Sequence, residues 1–217
     1  MESTKIKPLD VLSESQLSEI RKKNDLRNIF ALLFDWGLMV LGLYVFYYYP
    51  SILTFLASVV VIGSRQFALA VLAHDGAHNL LFSNSKINDF ISQWFCAYPI
   101  FQDNRVYRPY HLKHHRFTET EEDPDLILSA PFPINKKSFF RKVVRDLTGV
   151  TGYRRYSSSL VSIFKTEGDN SSGKISRIWN KIHGFFIVNL AIFVLISSFF
   201  HWSLFFLLWW LPAFTYY

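Results

Sequence analysis

Cysteine is nearly absent from this 217-residue chain, where Cys96 stands alone. A lone thiol closes no intramolecular disulfide. Without a CxxC pair there is no thiolate zinc site either, so an oxidised secreted scaffold and a zinc ribbon are both excluded. Charged residues are scarce as well, at 18%. The net charge is +6, but the basic residues flank apolar segments and no nucleic-acid module holds them. Membrane topology explains them, and no nucleic-acid partner is expected. The first 28 residues lack an apolar stretch ending in a small-residue cleavage site, so they do not read as a secretory signal. They read as a soluble, partly helical leader with a basic end at Arg21, Lys22, Lys23 and Arg27.

Apolar and aromatic residues are what the chain has in excess. Half the residues are apolar and 18% are Phe, Tyr or Trp, more than one soluble core of this size uses. Residues 29–49 are apolar except for Asp35, and about 20 residues rising ~1.5 Å each match a hydrocarbon core of roughly 30 Å. Pro50 and Ser51 leave only a tight turn before residues 52–72, a second span despite Arg65 and Gln66. Helices joined so closely form a hairpin. Asp35 and Arg65, about 9 and about 13 Å deep from the same end, are expected to pair across it. Residues 184–200 and 202–217 repeat the pattern around His201 and Trp202.

The expected fold class is therefore an all-α membrane protein of two transmembrane helical hairpins, with a helical cap over residues 73–183. The domain boundaries expected are a leader over 1–28 and a membrane domain over 29–217. The cap carries 16 Lys or Arg against 11 Asp or Glu, and this excess places it on the cytoplasmic side. Within it, residues 87–101 are too short to span and read as an interfacial or re-entrant helix, with Trp94, Phe95 and Tyr98 as interfacial anchors. Residues 139–164 read as an amphipathic surface helix, and 165–176 as a polar loop.

Five of the seven histidines form two clusters, His74 and His78 in HDGAH, and His111, His114 and His115 in HLKHH. On a helix continuing from the second span, positions 74 and 78 lie one above the other, the spacing that lets two imidazoles meet one metal. His111 pairs with His115 at i+4 and with His114 at i+3. Neutral imidazoles suit iron, zinc or copper rather than magnesium or calcium. Five exceed the three protein ligands of a catalytic zinc and are too few to fill two metals. Asp75, Asp103, Glu121, Glu122, Asp123 and Asp125 are candidates to orient the imidazoles through their second ring nitrogens. HDGAH has Asp75 where the HExxH zinc-protease motif needs a Glu, which argues against a protease. His183 and His201 are isolated and replace neither cluster.

The stretch RQFALAVLAHDGAHNLLFSN, followed by YRPYHLKHHRFTETEEDPDL, resembles the first two histidine boxes of the membrane fatty-acid desaturase superfamily. The resemblance runs from about residue 28 onward. It implies a four-span domain whose cytoplasmic cap holds two iron ions, with His74, His78, His111, His114 and His115 as ligands by position. It also implies O2 as co-substrate and an external electron donor of the ferredoxin or cytochrome b5 type. The substrate implied is a fatty-acyl or other lipid chain, and the location a bacterial inner membrane or the endoplasmic reticulum. The family pattern continues with a third HxxHH box that does not occur up to Tyr217, so the expectation is a C-terminally truncated desaturase, inactive by itself, that binds iron incompletely. The same boxes also serve hydroxylases and ketolases of carotenoids, sterols, alkanes or sphingolipids, and a non-catalytic membrane metal-binding remnant is a further reading.

Overall fold

The computed structural model describes residues 8–164 and 171–215, and every regular element among them is helical. A short exposed helix, α1 (Glu14–Ile20), is opened by a capping box in which Ser13 and Gln16 satisfy each other's backbone N–H groups. Helix α2 (Asp25–Tyr48) starts at Asn24, whose side chain accepts from the Arg27 N–H. Pro50, with no N–H to continue a helix, follows its end. Ser51 then caps α3 (Ile52–Ala77) through a second reciprocal box with Thr54.

Helices α2 and α3 pack antiparallel. Ser58 Oγ donates to the Gly42 carbonyl at 2.8 Å, the Phe46 and Phe55 rings lie 5.5 Å apart, and Arg65 Nη1 is 3.0 Å from Asp35 Oδ1. Asp35 is buried, so the guanidinium supplies the countercharge and hydrogen bond that a carboxylate there requires. Three stretches, within Glu14–Tyr48, Ile52–Ala77 and Ile178–Phe199, are long and apolar enough to cross a membrane. The last apolar segment, Phe205–Thr215, is helical but shorter.

In the segment between the histidine clusters, Ile87, Phe90 and Phe95 are exposed while most of the residues from Ser92 to Ile100 are buried. Helix α4 (Ser85–Ile91) runs into a π-helical turn over Ser92–Ala97 and a 3₁₀ turn over Tyr98–Ile100. Ser92, Gln93, Cys96, Ala97, Tyr98 and Ile100 are all buried. Close approach makes this burial possible. A Cβ on Gly76 of α3 would lie 2.1 Å from Ser92 Cβ, and one on Gly184 would lie 2.0 Å from the Tyr98 ring.

Next come α5 (Asn104–Phe117), the single turn α6 (Leu126–Ser129), α7 (Lys136–Leu147), α8 (Val150–Phe164), α9 (Ser171–Phe199) and, after a π-helical turn over Phe205–Trp210, α10 (Leu211–Thr215). Two expectations change here. The amphipathic stretch from 139 to 164 is two helices, broken at Gly149, whose φ of 74° suits glycine. Residues 171–176, read as loop, belong to α9, where Ile175, Ile178, Trp179 and Ile182 recur at helical spacing. Residues 165–170 of that expected loop, the first seven of the leader, and Tyr216 and Tyr217 lie outside the described residues.

The main core joins Met39 and Leu43 of α2, Ile62 and Leu69 of α3, Ile196 of α9 and Trp209. A second cluster of small and apolar residues, Ala73, Leu81, Phe82, Cys96 and Ala97, lies at the end of α3 that carries HDGAH.

Candidate metal centre

His74 occupies the last turn of α3 and His78 is its C-cap. The helix stops there through a Schellman arrangement: Leu80 N–H returns to the Asp75 carbonyl at 2.8 Å and Asn79 N–H to that of Gly76 at 2.9 Å. Asn79 takes the left-handed conformation this requires, with φ 57°. His111, His114 and His115 fill the last two turns of α5. Three connections fix the loop after HDGAH to the start of α2: Lys23 Nζ donates to the Phe82 carbonyl, Asn28 Nδ2 to that of Leu81, and Ser83 to Asp25.

The two helices bring four imidazoles to one point. One ring nitrogen from each of His74, His78, His111 and His115 lies within 4.8 Å of the others. His111 Nε2 is 3.0 Å from His78 Nε2 and 3.0 Å from His115 Nε2. A neutral imidazole nitrogen has either one N–H or one lone pair, so His111 Nε2 cannot serve two ring nitrogens well by hydrogen bonding alone. A shared cation would resolve the conflict. Ring nitrogens bound ~2.1 Å from one ion stand about 3 to 4 Å apart, and the His111–His78 and His111–His115 pairs lie at 3.0 Å.

The electrostatics favour lone pairs over protons. Burial, and then the neighbouring His74, His115, His78 and His114, push His111 down to about 4. Burial and the charges of His74 and His115 lower His78 too. His78 and His111 thus resist protonation and present the neutral imidazoles that a divalent metal needs. The residues present therefore fit a histidine-ligated metal ion.

The remaining candidates divide. His114 is turned aside from the four: its Nδ1 is 2.8 Å from Asp123 Oδ1 and 3.8 Å from Asp125 Oδ2. The Asp123 bond raises His114 above the usual imidazole value. Burial opposes ionisation of Asp123, but the His114 contact and the N–H groups of Asp125 and Glu119 still hold its carboxyl below the usual range. Asp125 accepts from Tyr110 at 2.6 Å. Asp75 Oδ1 reaches His74 Nδ1 only at 3.4 Å. Asp103 goes elsewhere, capping α5 and binding Arg105 and Gln93. Glu121 and Glu122 are exposed.

Sequence reasoning missed the residues behind the histidines. Tyr107 stacks on His111 at 4.9 Å with rings 14° from parallel. Asn88 and Arg108 place donors on the Gly76 carbonyl within HDGAH, and Asn104 on the Ala73 carbonyl just before it. No local pattern announces them; the only signal is that 104, 108, 111 and 115 follow i, i+4, i+7 and i+11, one stripe of a helix.

The fatty acid desaturase family model matches residues 50–217. A dihydrorhizobitoxine desaturase from Bradyrhizobium elkanii is 41% identical over 71 residues, 32% of this chain. The chain spans about a fifth of that relative, 20% of its length being matched. No solved structure matches.

Proposed function

Because the chain belongs to the fatty acid desaturase family, we propose that it is a multi-pass membrane oxidoreductase that introduces double bonds into a fatty-acyl or related lipid chain. The observation that carries this reading is the convergence of HDGAH and HLKHH on one point, four ring nitrogens within 4.8 Å. His74, His78, His111 and His115 would hold iron. His114 would be a ligand of a second iron, with its Nδ1 held by Asp123, a contact that raises imidazole basicity.

Bound iron supplies the activation of O2 needed to break an unactivated C–H bond, which side chains cannot do. The overall change balances as loss of two hydrogens from the chain, with O2, two electrons and two protons giving two waters. The electrons come from a donor of the ferredoxin or cytochrome b5 type, reaching histidine clusters on the cytoplasmic face of a four-span domain. The chain's own residues position the substrate. A cavity of about 260 Å³ lined by Gln66, Phe67, Ala70, Ile100, Tyr107 and Ala213 takes a segment of acyl chain. Tyr107, packed on His111, separates that segment from the imidazoles by one ring.

The relative's name favours desaturation over hydroxylation or ketolation, and makes dihydrorhizobitoxine a substrate to test beside acyl lipids. The test is expression of the whole open reading frame in a host without the activity, with lipid extracts analysed for new double bonds. We expect new unsaturation that disappears in His111→Ala. Unsaturation that survives His111→Ala, or purified protein whose iron content is independent of His111, overturns the proposal.

A further inference from the structure

We propose that Asn104, assisted by Asn88 and Arg108, is a positioning residue that sets the separation of the two histidine clusters, an inference resting on the metal-binding reading above. The end of a helix leaves carbonyls without a partner four residues on; Gly76, in the last turn of α3 between His74 and His78, has such a carbonyl, which also takes the Asn79 N–H. Asn104 Nδ2 donates to the Ala73 carbonyl at 2.8 Å, one residue before His74. Arg108 Nη2 and Asn88 Nδ2 each donate to the Gly76 carbonyl at 2.9 Å, midway between the two histidines. Asn88 is fully buried and Asn104 nearly so.

Each donor is itself fixed. The Asn104 N–H donates to Gln93 Oε1 at 2.9 Å. Asn88 Oδ1 accepts from the N–H groups of Leu81 and Phe82, and Arg108 also grips Asp89. Asn104, Arg108, His111 and His115 share one stripe of α5. Two of them dock on the backbone of the last turns of α3, at Ala73 and Gly76, and the same docking turns the other two toward His74 and His78. The clamp uses backbone carbonyls, so it fixes where the two histidines stand without touching their rings.

The experiment is titration of the purified full chain in detergent with Co(II), followed by visible absorbance, with circular dichroism and a metal-free melt as fold controls. Asn104→Leu keeps the bulk and removes the donor. We expect Co(II) binding about 10- to 100-fold weaker, the range for groups behind metal ligands, with an altered ligand-field spectrum in a chain that remains helical. Arg108→Gln, at a partly exposed side chain, should weaken binding likewise, and Arg108→Lys should recover part of the loss. Wild-type affinity and spectrum in folded Asn104→Leu overturn the inference. If that variant does not fold, the same result in Arg108→Gln overturns it. If Co(II) binding by the wild type is unaffected by His111→Ala, the metal-centre reading fails and this inference falls with it, an outcome distinct from histidine-dependent binding that ignores the clamp.

Discussion

Adding one methyl group at Gly76 tests how tightly the histidine-bearing end of α3 is held. A Cβ there would lie 2.1 Å from Ser92 Cβ and 2.6 Å from Ser92 Oγ, where ordinary contact begins at 3.4 Å. The two backbones must therefore separate by more than ~1 Å, because close-packed interiors leave no slack. Ser92 is fully buried on the π-helical turn, so its side chain has no solvent to move into. Overpacking of this kind costs about 1–3 kcal/mol, and the helical gain of Ala over Gly returns at most ~1 kcal/mol. We expect Gly76→Ala to be destabilised by about 2 kcal/mol, a melting shift of roughly 4–8 °C in a chain of this size. Ser92→Gly should relieve the clash, so the double variant should recover about 1–3 kcal/mol relative to the sum of the single changes. Thermal unfolding of the four proteins in one detergent measures this. Strictly additive effects, or a Gly76→Ala protein that melts no lower than wild type, would refute the close-approach argument. Gly76 lies between His74 and His78, so the displaced helix should also bind metal more weakly, and the double variant should recover part of that loss.

The other predictions concern charge and ligation. His111→Ala should lower metal affinity more than tenfold, measured by equilibrium dialysis with metal analysis, because His111 Nε2 makes both 3.0 Å contacts in the cluster. His114→Ala should cost less, since its Nδ1 is directed to Asp123. Arg65→Met should lower stability by about 3 kcal/mol or more by leaving Asp35 buried without a partner, whereas Asp35→Leu combined with Arg65→Met should fold in near-normal yield. Asp89 gives a pH signature. The Arg108 hydrogen bond holds its carboxyl below the ordinary value of 3.8. Its stabilisation is therefore complete above that value and is lost as pH falls through the lower folded-state pKa. The melting difference between wild type and Asp89→Asn should be constant from about pH 7 to about pH 5 and shrink below about pH 4; a difference that grows in acid would contradict the assignment.

The parts of this protein visible in the sequence are those governed by short-range periodicity. Apolar runs of about 20 residues mark helices long enough to span, and an i, i+4 pair fixes which two histidines share a face. The same geometry explains the outlier: on α5, His115 turns about 40° one way from His111 and His114 about 60° the other. The first stays with the cluster, and the second meets Asp123 from the loop that follows. Contacts that span many residues gave no local signal. Asn88, Asn104 and Arg108 act on carbonyls 12 to 32 positions away. The burial of Ser92 and Tyr98 depends on two glycines far from them in sequence. Asp103 looked like any other acid near the histidines, and only tertiary structure assigns it to Arg105 and Gln93.

The π-helical turn at Ser92–Ala97 acts as a one-residue phase shifter in the chain. The wide turn absorbs one extra residue, so winding the same six residues as an ordinary α-helix would rotate everything downstream by about 100° relative to everything upstream. Tyr98 would then swing off Gly184, and the entry to α5 would point away from α3. In this fold, the length of one inconspicuous turn decides whether two distant motifs face each other at all.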